Sequence, residues 1–529
     1  MVADDLGGPP AGSGSHLPEL DPQEHRILAY ASAIGPEFDR ALLLRAMGPP
    51  ESPNAEALER LAGRGLLRER PGGERFGFAE EQLRARVYRS LTESRLRVLH
   101  RKIGEALEAL GGSDGAGPAP ELGRHFFLGK VPEKSLAYNR RAADDARAGE
   151  EPERAIYHYE RALIEIDHLP GDHRRERAEV SRHLGDLEFT VGNYRAADRR
   201  YLDALEATPT SDASLTARLL LARAEIAREG LELATAARGA HEARQLFEAA
   251  GDRAGMAECH RLLGRLAFAR GAYPESLEEN MRSLELLEGN RDSRLMGLLS
   301  IDLGNSFALL GPEGRRVAVE WYQHAIDRLG PAGDWAELSR AYHNLAVSVG
   351  EERPQDGLEH LAKARESAER AHDPRSAGWA LLSGVEMRLK LGQVEEAGRD
   401  NAQAARAFGH LDDVLGLEQV DQNRGEIAER TGQWEEAERA YREAIGRCQR
   451  HTLAADEAEA QYRLARLLSK IRDWPAARNA FAAAERLGLP RVRPNLAPGF
   501  ETLRATLTAA EAEGTGPYGA TPAGTPPPP

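Results

Sequence analysis

The chain has 529 residues, 41% of them hydrophobic but only 6% aromatic, and a formal charge of −15. That balance argues against a general nucleic-acid-binding surface, which needs clustered positive charge, and suits alanine-rich helix packing better than one large globular core. The two cysteines, Cys259 and Cys448, lie 189 positions apart, so reduced thiols are expected rather than a disulfide framework.

Residues 1–17 are rich in Gly, Pro and Ser and have neither a basic n-region nor an apolar h-region, so they read as disordered and not as a secretory signal. No run approaches the roughly 18 apolar residues of a membrane span. A soluble, cytoplasmic protein with no membrane partner is the expectation. Between residues 18 and 111, DPQEHRILAYASAIG and EFDRALLLRAMG read as short amphipathic helices, and Pro53 with Asn54 opens a third, NAEALERLAGRG. LLRER and ERFGF flank Pro71-Gly72-Gly73, the pattern of a β-hairpin. Helices followed by a two-stranded wing predict a small winged-helix-like domain.

From Phe78, the stretch FAEEQLRARVYRSLTESRLRVLHRKIGEALEAL resembles the segment that follows the ATPase core of STAND-type signalling ATPases. Phe78, Leu83, Arg84, Val87, Tyr88, Arg95, Leu99, His100 and Leu107 carry the resemblance, whereas Glu80 stands where that family usually has a His. The helices expected over 112–150 resemble the lead-in to such a protein's sensor arm. A nucleotide-binding loop is not to be found. The one Gly-Lys pair, Gly129-Lys130, precedes Val131, and Arg124 occupies the position of the first glycine, so the phosphate cradle and the magnesium-binding hydroxyl are both missing. His241-Glu242 starts like a zinc-protease motif, but position 245 is Gln. Paired carboxylates such as Glu395-Glu396 and Glu435-Glu436 fall in the first turns of helices, where they complement the helix dipole. No enzyme activity, catalytic residue, metal or cofactor is therefore expected.

The remainder repeats. GEIAERTGQWEEAERAYREAI reads as a helix, a turn at Gly432-Gln433 and a second helix with Ala437, Tyr441 and Ala444 on one face. GDLEFTVGNYRAADRRYLDALEATP repeats the pattern with Gly185, Gly192, Tyr194, Ala197, Tyr201 and Ala204. The small residue opening each second helix recurs at 155, 197, 236, 276, 318, 357, 397, 437 and 477, a period of about forty. These units resemble tetratricopeptide repeats (TPR), in the long-helix form of kinesin light chains, cell-polarity adaptors and bacterial sensor arms. The resemblance implies an all-α fold: a right-handed TPR α-solenoid of antiparallel helix pairs over 151–490, ending in a capping helix at 491–513. The Pro-rich tail, 514–529, reads as disordered.

In the repeat family, first helices line a concave groove, which supplies the candidate site. The positions are Arg182, Asp186 and Phe189; Arg261, Arg265 and Phe268; Asp302 and Asn305; His343; Trp379 and Glu386; then Gln422, Glu426, Tyr462 and Arg466. Arginine and phenylalanine suit an extended or helical peptide bearing carboxylates and apolar side chains. The favoured function is a non-enzymatic scaffold or sensor arm that binds a partner protein or peptide, with the N-terminal domain docking a separate ATPase, kinase or cyclase. Two alternatives stand beside it. One is a transcription regulator whose winged helix contacts DNA through Arg60, Arg64, Arg68, Arg70 and Arg75, although Glu56, Glu59, Glu69 and Glu74 interleave with them and disfavour nucleic acid. The other is the detached C-terminal half of a STAND-type ATPase.

Overall fold

A computed structural model of the chain describes residues 19–111, 117–149, 151–289 and 292–514. The segments expected to be disordered, 1–17 and the tail beyond Gly514, lie outside these described residues. The chain forms two compact units, Met1–Cys259 and His260–Pro529.

In the first unit, helix α1 (Pro22–Ile34) starts at Asp21. The Asp21 carboxylate accepts from the Glu24 amide at 2.7 Å, and Glu24 accepts in return from the Asp21 amide at 3.1 Å, a reciprocal capping box. Strand β1 (Glu37–Asp39), α2 (Arg40–Met47), α3 (Glu51–Gly63), β2 (Leu67–Glu69) and β3 (Arg75–Phe78) follow. The strands form one antiparallel sheet in the order β1-β3-β2. Two sequence expectations shift here. Glu37–Asp39 is a strand and not the start of a helix, because an extended backbone turns Phe38 inward, where its ring stacks on Phe76 at 6.2 Å. Helix α3 starts at Glu51, with Pro53 in the first turn, where a missing N–H is harmless. Asn54 is buried and donates to the Gly48 carbonyl at 2.9 Å instead of capping. The expected hairpin turn is present, with Gly72 and Gly73 at φ 105° and 76°.

Helices α4 (Glu81–Ser90), α5 (Glu93–Leu110) and α6 (Ala119–Leu128) close this region. A buried polar chain ties them together. Arg124 donates to the Ile34 carbonyl at 2.6 Å and to His125 Nε2 at 3.2 Å, His125 Nδ1 meets His100 Nδ1 at 2.9 Å, and His100 Nε2 meets Tyr88 Oη at 3.0 Å. A guanidinium can only donate, so His125 carries its proton on Nδ1, and His100 accepts there and donates from Nε2. Both rings are neutral. Burial, reinforced by the Arg124 charge, lowers His100 to about 3 and His125 to about 2.

The repeats follow as antiparallel pairs: α7 (Pro132–Ala148) with α8 (Pro152–Ile166), α9 (Arg174–Thr190) with α10 (Tyr194–Ala207), and α11 (Ala213–Glu229) with α12 (Leu233–Ala250). Helix α13 (Arg253–Ala269) runs across the boundary between the units. The second unit continues with α14 (Tyr273–Leu286), α15 (Ser293–Ala308), α16 (Pro312–Leu329), α17 (Trp335–Gly350), α18 (Pro354–Arg370), α19 (Pro374–Lys390) and α20 (Val394–Leu411). It ends with α21 (Val414–Arg430), α22 (Trp434–Arg450), α23 (Ala454–Lys470), α24 (Trp474–Arg486), a short α25 (Leu489–Val492) and α26 (Ala497–Gly514).

One contact recurs within the pairs. A Cβ added at Gly185, Gly304 or Gly425 on a first helix would lie 2.5 Å from the ring of Tyr201, Tyr322 or Tyr441 on the second. The tyrosine ring occupies the space that a side chain would need. Each hydroxyl then donates back to the first helix: to Asp186 at 2.8 Å, to Asn305 at 2.9 Å and to Glu429 at 2.6 Å. Aspartates set where first helices begin. Asp212, Asp252, Asp292, Asp373 and Asp413 each accept from a backbone amide three residues on. Arginines in preceding first helices reach the next start: Arg218 to Asp252 at 3.5 Å, Arg294 to Asp334 at 2.7 Å and Arg375 to Asp413 at 2.6 Å.

Two outcomes test this packing. Gly425→Ala should cost about 1–3 kcal/mol, the usual range for overpacking, read as a lower urea midpoint; an unchanged midpoint would show that the Tyr441 ring is not the constraint. Because His100 and His125 titrate lower in the folded chain than in the unfolded one, their stabilising effect is complete above the unfolded value of about 6.5. It is then lost as pH falls towards 3, at up to about 1.4 kcal/mol per histidine per pH unit. Unfolding midpoints from pH 7 to 5 should fall accordingly, and His100→Gln/His125→Gln should flatten that slope.

Candidate functional site

The predicted site residues lie on first helices, and the structure shows how each is held. In the first unit, Arg182 and Asp186 form an ion pair at 2.7 Å on α9, and Asp186 also accepts from Tyr201. Phe189 packs on Tyr194, ring centres 5.4 Å apart, at the margin of a core formed by Ala197, Tyr201, Ala204 and Leu219. It therefore serves packing as much as surface.

In the second unit, half of the predicted residues are engaged with a neighbouring first helix about forty positions away. Arg261 reaches Asp302 at 2.9 Å, with side chains 12% and 8% exposed. Asn344 donates to Asn305 at 2.8 Å, and His343 meets Ser383 at 2.9 Å. Burial lowers the His343 pKa and keeps its ring neutral. Phe268 packs on Tyr273 at 5.4 Å, while Arg265 sits half-buried beside it on α13. Trp379 meets the edge of Phe408 at 5.4 Å. Buried ion pairs need good geometry to offset desolvation. Arg261–Asp302 is thus a strut between repeats, so the guanidinium named in the sequence as a groove position is held by a carboxylate of this chain.

The α19–α21–α23 face is more open and more densely charged. Glu386 is 72% exposed and pairs with Lys390 at 2.9 Å. Glu426 holds Arg430 at 3.2 Å and Arg463 at 3.0 Å. Glu429, unremarked in the sequence, is the hub: Arg466 reaches it at 3.3 Å, Lys470 at 2.7 Å and Tyr441 at 2.6 Å. Burial opposes its ionisation, but the bonds from Lys470 and Tyr441 and the Arg466 charge prevail and hold its pKa below the ordinary range. Tyr462 and Gln422 are buried, and Gln422 donates to Glu418.

Three further residues belong to this face. Lys390, Arg430 and Lys470 end α19, α21 and α23 at the same position, forty residues apart, each half-exposed. The signal was present in the sequence as a strict recurrence, but lysine and arginine at a helix C-terminus are common enough to pass for dipole complements. Glu418 was also missed. It is buried, and burial with the nearby Asp456 and Glu459 carboxylates raises it to about 7. Among the described residues, no group of three or more His, Cys, Asp or Glu is arranged to hold a metal ion, and no helix is long and apolar enough to cross a membrane.

No protein-family model and no curated protein matches the chain. Solved structures do. A signal-transduction ATPase with numerous domains (STAND) from Pyrococcus horikoshii, carrying a tetratricopeptide repeat sensor, aligns at TM-score 0.51 and 15% identity over 82% of this chain. The chain spans 64% of that protein. Aspartyl phosphate phosphatase F from Bacillus subtilis aligns at TM-score 0.44 and 14% identity, covering 67% of this chain and 94% of the other. The Rap conjugation gene regulator of plasmid pLS20, in complex with the Phr* peptide, gives 0.43 and 13%, covering 74% and 96%. The fold is a TPR-like, all-α solenoid.

Because Glu418 titrates higher when folded, its stabilising effect is complete below the unfolded value and lost as pH rises through about 7. Glu418→Gln should therefore raise stability by about 1–3 kcal/mol at pH 8 and leave it unchanged at pH 4.5 and below. Equal effects at both pH values would contradict this assignment.

Proposed function

We propose that this chain is a non-enzymatic interaction scaffold or sensor arm that binds a partner protein or peptide across the first-helix face of its repeats. The supporting observation is the row Lys390, Arg430 and Lys470, one half-exposed cation per first helix in register. Packed neighbouring helices lie roughly 8–10 Å apart, and residues three apart in an extended chain are separated by about 10 Å. A peptide in the polyproline II conformation, with three residues per turn and a rise of about 3.1 Å per residue, presents carboxylates at every third position on one side at about that spacing. Glu386, Glu426 and Glu429 hold the cations in place beforehand, so binding exchanges one set of carboxylates for another and orders few new side chains. Of the predicted residues, Trp379, Glu386, Glu426 and Arg466 fit this face best. Arg261, Arg265, Phe268, Asn305 and His343 act mainly by fixing repeats of the same unit, whereas Arg182, Asp186 and Phe189 do so within the first unit.

The organisation that serves this role is a winged-helix-like domain at 18–111, lead-in helices at 112–150, the repeat array at 151–490 and a capping helix at 491–513. The order α1-β1-α2-α3-β2-β3, with the β2–β3 hairpin as wing, supports the first of these. Contact with DNA through that domain is disfavoured. Arg60 is held by Asp21 and Glu24, Arg64 by Glu24, and Arg70 and Arg75 by Glu37, leaving only Arg68 of the five without a carboxylate partner among the described residues. The likeness to a STAND protein with a repeat sensor supports a sensor arm acting with a separate ATPase, kinase or cyclase.

Affinity capture with the intact chain and with Lys390→Gln/Arg430→Gln/Lys470→Gln, read by mass spectrometry, tests the placement. Partners held by the α19–α23 face should fall about tenfold in the variant. Identical recoveries from both would rule that face out.

A further inference from the structure

Arg60 of α3, Arg64 just after it, and Arg70 and Arg75 of the β2–β3 hairpin are matched by carboxylates. Helix α5 departs from this rule. Its inward side buries Leu99, His100, Ile103 and Ala106, which leaves Ser94, Arg95, Arg97, Val98, Arg101, Lys102 and Glu105 exposed. Arg97 pairs with Glu93. Arg95, Arg101 and Lys102 have no carboxylate partner within ion-pair distance among the described residues, even though Glu105 lies one turn beyond the last two. Residues three and four apart share a helix surface, so these three cations surround Val98, which is 40% exposed. The cationic field extends past the helix. Exposed Arg89 precedes it, and Gly129 packs so closely on the Arg101 backbone that an added Cβ would lie 2.8 Å from its nitrogen, which brings exposed Lys130 alongside. Lys130 contributes to lowering the pKa of Glu93, after the larger effect of Arg97.

We propose that this face of α5 docks an acidic protein segment that carries an apolar anchor. Unpaired exposed cations repel one another, and a domain that neutralises Arg60, Arg64, Arg70 and Arg75 internally leaves this set for an external anion. The apolar centre identifies which kind of anion. Val98 gains by contact with a leucine-like side chain and gains nothing from phosphate, while Arg95, Arg101 and Lys102 supply a charged rim that steers and orients the segment. From Arg95 to Lys102 the helix rises only about 10 Å, a footprint for a few carboxylates rather than for a polyanion running on over a chain of net charge −15. This surface lies outside the repeat face described above, and its occupancy does not depend on that reading.

The test uses the full-length chain and three fluorescent probes: a Glu-rich peptide with spaced leucines, an all-Glu peptide of equal length, and a short DNA duplex. The leucine-containing peptide should bind best and weaken steeply as salt rises past about 150 mM. R95E/R101E/K102E should reduce its affinity about tenfold or more, with the helical circular dichroism unchanged; should that variant unfold, R95Q/R101Q/K102Q replaces it. Val98→Ser should weaken the leucine-containing peptide and leave the all-Glu peptide as it was. Lys390→Gln/Arg430→Gln/Lys470→Gln should bind like the parent chain, which separates this site from the repeat face. The proposal fails if neither peptide binds at low salt, if the α5 variants bind both peptides as the parent does, or if the duplex binds as tightly as the peptide and responds to the same substitutions.

Discussion

The close approach of paired helices rests on a glycine against a tyrosine ring. Where Gly185, Gly304 and Gly425 face Tyr201, Tyr322 and Tyr441, no side chain larger than hydrogen fits on the first helix. The hydroxyl at the far end of each ring turns that steric fit into a directional one. A buried tyrosine needs a partner for its O–H, and it finds one on the helix it packs against, at Asp186, Asn305 or Glu429. Packing and polarity are thereby coupled: the contact that sets helix separation also aims an acceptor on the first-helix face.

Neighbour-to-neighbour links extend the order along each unit. Capping aspartates recur at repeat spacing, and arginines from the preceding first helix bind two of them, Asp252 and Asp413, as well as Asp334 at the start of α17. Exposed ion pairs contribute little individually. Here they bridge consecutive repeats, and the stability of a repeat array depends on such interfaces as much as on the repeats themselves. A charged residue already engaged within the chain is also a preformed, oriented group rather than a free one.

Much of the fold was legible because its period is written in small residues, and small residues at helical spacing point to close helix packing and to little else. The β2–β3 hairpin was legible for a similar reason, since consecutive glycines announce positive φ. Strand β1 was hidden because Glu-Phe-Asp carries no strand signal of its own; its extension is imposed by Phe76, far along the chain. The role of Arg261 was hidden for the opposite reason. A guanidinium on a first helix looks like a ligand-binding group until the carboxylate one repeat away is located, and Asp302 could not be paired with it by sequence alone. Glu429 shows the same limit, as nothing in GEIAERTG marks one glutamate as the hub of three donors.

Charge pairing also separates structural cations from those proposed to meet a partner. With 70 basic residues against 85 acidic ones, a carboxylate is within reach of most arginines, so composition alone predicts that cations will be neutralised locally. A cation left unpaired under those conditions is informative in a way that it would not be on a basic protein. Arg261, buried against Asp302, is costly to expose and holds repeats together. Lys390, Arg430 and Lys470, paired yet half-exposed and in register, can exchange partners at small cost. Arg95, Arg101 and Lys102, surrounding an exposed valine with no carboxylate partner among the described residues, have nothing to exchange, and among these three groups they gain most from an incoming acidic chain.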